Sequence, residues 1–213
     1  MARIKNGLLG GISGNVGNVE GYVRCGVPMV RSKKRKSKVP PSLKQLFYRK
    51  GMSVVNKFIN SMTRFVGMGF ESVARGLPQT ANNLAKSYQL LNALHGEYPD
   101  IKILYPAVRL TEGDIQLPNN PQALAEGNGI RFTWDYDPIE NWDDRRAQAM
   151  VLIHAEETGK SYTILTGARF LEQTELIELS PGVKGKHLHA YLSFVSDDRK
   201  RVSNSIYLGN LVL

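Results

Sequence analysis

The residues of this 213-residue chain whose types could do chemistry are four histidines, one cysteine, an acidic run and a basic run. His187 and His189 stand two apart in an alternating stretch. They therefore face the same way, and a metal could bridge them. A metal site wants three or four converging ligands, and no Cys or suitably spaced acid joins the pair, so no metal is expected and surface positions are expected for the histidines. Gly159-Lys160-Ser161 could be read as the end of a phosphate-binding loop, but that loop needs a glycine five residues before Gly159, where His154 stands. A hairpin turn is expected there. Gly11, Gly14 and Gly17 have the wrong spacing for a dinucleotide fingerprint. Asp135, Asp137, Glu140, Asp143 and Asp144 surround Trp142 without the spacing of a calcium loop and read as a solvated loop. Cys25 lies among basic residues that would lower a thiol pKa, but no histidine is near, and a buried, inert cysteine is expected. No nucleophile stands beside a base, so an enzyme is not expected and no cofactor is called for.

The basic run is Arg31, Lys33, Lys34, Arg35, Lys36 and Lys38, with Lys44 following. Thirteen of the 28 Lys and Arg fall within the first 60 residues, against one of the 19 acids. Such a block can meet phosphates, and these seven side chains are the candidate nucleic-acid contacts. It can equally pair with acids on another subunit. Aromatic residues for base stacking are nearly absent from the run, so any such binding would be independent of sequence.

The elements that must position these groups change character along the chain. Glycines at 7, 10, 11, 14, 17, 21 and 26 alternate with single β-formers, which predicts short strands joined by tight turns. Val19–Arg24 and Pro28–Ser32 are expected to pair as a hairpin. Ser42 with Gln45 forms a capping box, opening a helix with apolar residues at near-helical spacing as far as Val66, where Gly51 is expected to bend it and Gly67 and Gly69 to end it. Thr80 is expected to cap a second helix, from Ala81 to about Leu94, closed by Gly96. From Ile101 the pattern alternates, predicting strands at Ile103–Leu110, Gly129–Tyr136, Ala147–Ala155, Ser161–Thr166, Glu175–Leu179, Lys186–Val195 and Arg201–Leu213, with a break from Pro118 to Pro121. In Lys186–Val195 one face is apolar, and the face holding His187, His189, Tyr191 and Ser193 is expected to be half-wet. The fold class is thus an α+β N-terminal part, a glycine-rich β segment plus two helices over residues 1–99, followed by an all-β sandwich of the fibronectin III or Ig-like kind over 100–213.

Phe132-Thr-Trp-Asp-Tyr-Asp-Pro138 resembles the second strand of fibronectin type III domains, where a Trp enters the core before a proline turn. Leu179-Ser-Pro-Gly182 and the strands after it resemble the end of that fold, although the tyrosine that usually starts the sixth strand is absent. Ala2-Arg-Ile-Lys-Asn-Gly7 with Gly10-Gly-Ile-Ser-Gly-Asn-Val-Gly-Asn-Val19 resembles the opening of an uncharacterised family common in the Bacteroidota. Residues 7–60 are more loosely similar to phage virion proteins that open with a Ser-Gly-x-x-Gly segment, which implies a structural or assembly role.

A segment as β-prone as residues 7–30, with few large side chains, must lie against its own helices, a neighbouring copy or a nucleic acid. Self-association through Gly10, Gly11, Ile12, Gly14, Val16, Val19 and Tyr22 is the leading expectation, giving a homo-oligomer or a protein docked into a virion-like or filamentous assembly. Sequence-independent nucleic-acid binding through the basic run is the alternative, and an adhesion or carbohydrate-binding role is a further one by fold analogy. No apolar stretch is long enough for a membrane helix and no signal peptide is evident, so synthesis in the cytoplasm, no membrane partner and no small-molecule substrate are expected.

Overall fold

The structure, a computed structural model, describes residues 3–4, 10–34, 38–136 and 145–213. It is β-rich, with several antiparallel sheets and few helices. Strands β1 (Arg3–Ile4), β2 (Ile12–Val16), β3 (Val19–Arg24) and β4 (Val27–Ser32) form a four-stranded antiparallel meander. Helices α1 (Leu43–Asn60), α2 (Thr63–Gly69), α3 (Glu71–Ala74) and α4 (Ala81–Asn92) follow. A two-stranded ribbon, β5 (Leu94–His95) with β6 (Lys102–Ile103), leads into the sandwich-like part. There β7 (Asn119–Glu126), β8 (Gly129–Asp135) and β11 (Thr174–Glu178) make one sheet in the order β11-β8-β7. Strands β9 (Gln148–Ala155), β10 (Lys160–Ile164), β12 (His187–Val195) and β13 (Ile206–Val212) make the other in the order β10-β9-β12-β13.

The expected hairpin of β3 and β4 is present, turning on Cys25 and Gly26 at φ 47° and 82°. Positive φ at both turn residues matches the right-handed twist of the strands it joins. Cys25 is exposed at that turn, which corrects the expectation of a buried thiol. Ser42 makes the expected capping box, its Oγ accepting from Gln45 N while Gln45 Oε1 accepts from Ser42 N. The first helix breaks at Ser61 and Met62 before α2 instead of running through to Gly67. Gly51 serves close packing: a Cβ there would press to 2.8 Å from Leu94 Cδ1. Thr80 caps α4 through Asn83 N.

Register explains the core. β9 and β12 pair so that Ala149 meets Phe194, Val151 meets Leu192 and Ile153 meets Ala190. These side chains point at the β11-β8-β7 sheet and join Ile130, Phe132 and Trp134 in one buried cluster. Trp134 also donates its indole N–H to Phe170 O at 2.8 Å and meets Phe194 edge-on. The alternate residues Met150, Leu152, Tyr191 and Val195 point the other way into a second cluster with Val55, Ile59, Phe65 and Phe70 of the helical segment. The face of β12 expected to be half-wet is therefore covered: His189, Tyr191 and Ser193 are buried, and of the four only His187 is exposed. Periodicity within one strand does not reveal that a distant helix covers its second face. The helices and the outer sheet face share apolar core across the position where composition changes, near residue 100.

Two strand expectations need correction. Ile103–Leu110 is not one strand: beyond β6 it turns through a short 3-10 segment at Tyr105–Ala107 and continues as an extended strap. The strap's polar groups bond outside any ladder, with Gln89 bridging Arg109 N and O, Ser205 Oγ accepting from Leu110 N, and Thr111 Oγ1 donating to Ser203 O. β7 occupies the stretch read as a break. A sheet edge tolerates Pro121, whose missing N–H costs nothing there, and a bulge between Asn119 and Gln122 absorbs the irregularity.

Trp134→Ala removes the largest side chain of the inner cluster and its hydrogen bond. We expect a loss of about 3–5 kcal/mol, read from the shift of a denaturant unfolding curve. A change below about 1 kcal/mol would mean that the indole is not packed as described.

Candidate functional site

The outer face of the β9–β12 pair holds polar chemistry as well as core. His154 and His189 are direct cross-strand partners, and each is only 4% exposed. This corrects the expectation of surface histidines for two of the four. Tyr105 lies flat on the His189 ring, centroids 3.5 Å apart and planes 13° apart, and Phe58 meets His154 edge-on at 4.9 Å. Helix α1 supplies Phe58, the strap after β6 supplies Tyr105, and the strand pair supplies both imidazoles.

The hydrogen bonds define both tautomers. Ser61 donates its only hydroxyl proton to Phe58 O at 2.7 Å. Ser61 Oγ, 2.7 Å from Ser161 Oγ, can then only accept, so Ser161 donates to it. Ser161, its proton committed, accepts from Nδ1–H of His154 at 2.9 Å. His154 is therefore the Nδ1–H tautomer, with a bare lone pair on Nε2. On His189, Nε2–H donates to Glu156 Oε2 at 3.3 Å and Nδ1 accepts from Tyr207 OH at 3.0 Å.

Burial, reinforced by the nearby His189, pushes His154 down to about 4. Burial also lowers His189, against the opposing pull of Glu156. Burial raises the Tyr105 phenol, with Glu156 adding to the effect, and raises Tyr207 for the same two reasons. Burial thus favours the neutral form of both imidazoles and of the phenols beside them, with Glu156 hydrogen-bonded to His189 at the edge of the cluster. No group of three or more His, Cys, Asp or Glu able to hold a metal occurs among the described residues. Gly159-Lys160-Ser161 is the hairpin expected, with Gly159 at φ 63°, and Ser161 belongs to the relay on His154 and not to a phosphate loop.

Beside these rings lies a groove of about 340 Å³, lined by Val54, Lys57, Phe58, Ile101, Lys102, Ile103, Tyr105, His154, Glu156 and Gly159. Sequence reasoning missed it because its parts come from α1, β6, the strap and β9. The signal in the sequence was that His154 alternates with Met150 and Leu152, and His189 with Tyr191, on one face of each strand.

The arm places its own candidates differently. Val16 and Val19 pair across β2 and β3 on one face, joined by Val23 of β3 and Val30 of β4, and all four are exposed. Gly21 lies between them because β2 bends at Gly14, φ 112°, and carries the Ile12 carbonyl over it, where a Cβ would collide. Gly10 and Gly11 are half-buried, Gly11 against Pro28. Tyr22 is on the opposite face under Arg31, whose guanidinium sits 5.1 Å from the ring centroid. Arg31 is also paired with Glu20 at 2.8 Å. Lys33, Lys34, Lys38 and Lys44 are exposed, and Lys33 and Lys34 border a recess with Asn18, Val19 and Ser32. Arg35 and Lys36, the residues from Asp137 to Asp144, and the Lys5–Leu9 part of the opening motif lie outside the described residues.

Fold and site together define a β-sandwich-like protein with a helical layer on one sheet and an exposed N-terminal strand arm. The chain belongs to a family of unknown function, DUF6266, whose model matches residues 11–209. No curated protein and no solved structure matches it. Among the described residues no helix is long and apolar enough to cross a membrane.

The depressed His154 pKa sets a pH dependence. The unfolded chain takes up its proton near 6.5, the folded chain only near 4, so stability is full above about 6.5 and falls as the pH drops toward 4. At about 1.4 kcal/mol per pH unit the loss reaches roughly 3 kcal/mol. Thermal melts between pH 4 and 8 check this, and His154→Phe is expected to flatten the acid limb.

Proposed function

We propose that the protein is a non-enzymatic structural or assembly protein that self-associates through its N-terminal arm. The observation that carries this reading is the valine face of the arm, Val16, Val19, Val23 and Val30, open to solvent with Val30 at 64% exposure. Beside it β4 is exposed along its whole length and pairs only with β3 among the described residues, the kind of sheet edge that a strand from a second copy extends. Burial of such a face is worth about 25 cal/mol per Å² of apolar surface, and a second copy supplies a matching face and edge.

The finer fold reading is a fibronectin III-like sandwich. The division of seven antiparallel strands into three and four supports it, as does the buried Trp134. The likeness of residues 7–60 to phage virion proteins supports docking into a virion-like or filamentous assembly. The nucleic-acid reading draws less support, since Arg31 is committed to Glu20 and Tyr22.

Light scattering coupled to size-exclusion chromatography tests the proposal. The wild-type chain is expected to run as an oligomer, and Val23→Lys with Val30→Lys to run as a monomer with an unchanged melting temperature. A wild-type chain that stays monomeric at high concentration, or a double variant that keeps its assembly, would overturn it.

A further inference from the structure

The groove beside the buried imidazoles has the composition of a ligand site independent of the arm. Val54, Phe58, Ile101 and Ile103 give it an apolar wall. Lys57 and Lys102 stand at its rim, exposed and without an ion-pair partner among the described residues. Its distinguishing group is His154. The relay Phe58 O, Ser61, Ser161, Nδ1 fixes the ring and leaves the Nε2 lone pair unused. No described residue hydrogen-bonds that nitrogen, it is not among the fully enclosed unpaired polar atoms, and His154 lines the groove. A buried imidazole with a spare acceptor beside a partly apolar cleft has lost hydration, and a donor from outside the chain restores the missing bond.

We propose that this groove binds a small organic anion with an aromatic-sized apolar body and one hydroxyl or N–H donor. The donor meets Nε2 of His154, the body lies against Phe58 and the Ile101–Ile103 wall, and the anionic group pairs with Lys57 and Lys102. Glu156 also lines the groove, where its Oε2 accepts from His189 Nε2–H, so the ligand's anionic group is directed to the two lysines and not to that side. A neutral acceptor selects for a donor at that point, and the two cations select for the opposite charge at the rim.

The test uses the full chain and three probes: 4-hydroxyphenylacetate, phenylacetate without the hydroxyl, and 4-hydroxyphenylethanol without the charge. In the nitrogen-15 spectrum of the wild-type side chains, 4-hydroxyphenylacetate is expected to move the His154 Nε2 signal saturably while His187 stays still. Losing the donor, or replacing His154 by Phe, is expected to weaken binding about tenfold. Losing the charge, or changing Lys57 and Lys102 to Gln, is expected to weaken it about threefold, as partly exposed pairs do. Circular dichroism reports whether His154→Phe is folded, and the wild-type signal decides the matter if it is not. The proposal is overturned if the wild-type His154 signal does not move at millimolar 4-hydroxyphenylacetate. It is equally overturned if phenylacetate binds as well, or if a folded His154→Phe binds unchanged.

Discussion

Strands β9 and β12 are covered on both faces, and most of the molecule follows from that constraint. Their inward residues close against the β11-β8-β7 sheet. Their outward residues require a second apolar layer, which α1, α2 and α4 supply. A sheet with one wet face would need none of this. The helices in turn need the sheet, because each has a single apolar stripe to bury.

Double-sided burial has a polar consequence. Any polar residue on the outward parity of β9 or β12 must find a partner inside the protein or lose hydration without return. His189 finds Glu156 and Tyr207, and Tyr191 donates to Tyr105 O at 2.9 Å. His154 finds one partner for two nitrogens. The candidate ligand groove thus arises where the helical layer meets the end of the strand pair, and the same packing that depresses the imidazole leaves its second nitrogen unmatched. The arm obeys the opposite logic. Its strands are held by ladder hydrogen bonds and glycine-permitted close approach, and Gly21 is the buried position among residues 10–32.

Features written in local patterns were legible in the sequence. The Ser42–Gln45 box, the Thr80 cap, the Cys25–Gly26 turn and the inward parity of Leu188, Ala190, Leu192 and Phe194 each depend on residues a few positions apart. What depended on distant pairing was not. The covering of Tyr191 and Ser193 needs helices more than a hundred residues upstream. Ile103–Leu110 reads as a strand because it is a short apolar run, yet beyond β6 its polar partners are the side chains of Gln89 and Ser205. β7 was hidden by Pro121, whose tolerance follows only from its place at a sheet edge. The buried histidine pair was the largest omission. Alternation placed His189 correctly beside Tyr191, but only the β9–β12 register brings His154 opposite it.

The measurement that bears most directly on this account is the fate of residues 100–213 produced alone. Cut from α1, α2 and α4, the outer face of β9 and β12 would present Met150, Leu152, Tyr191 and Val195 to water. The account predicts that this fragment fails to form a stable monomer, giving a broad or absent unfolding transition or aggregating. Adding residues 38–99 back in the same chain restores a single cooperative transition. A monomeric 100–213 fragment with sharp melting near that of the full chain would contradict the shared core on which the architecture rests.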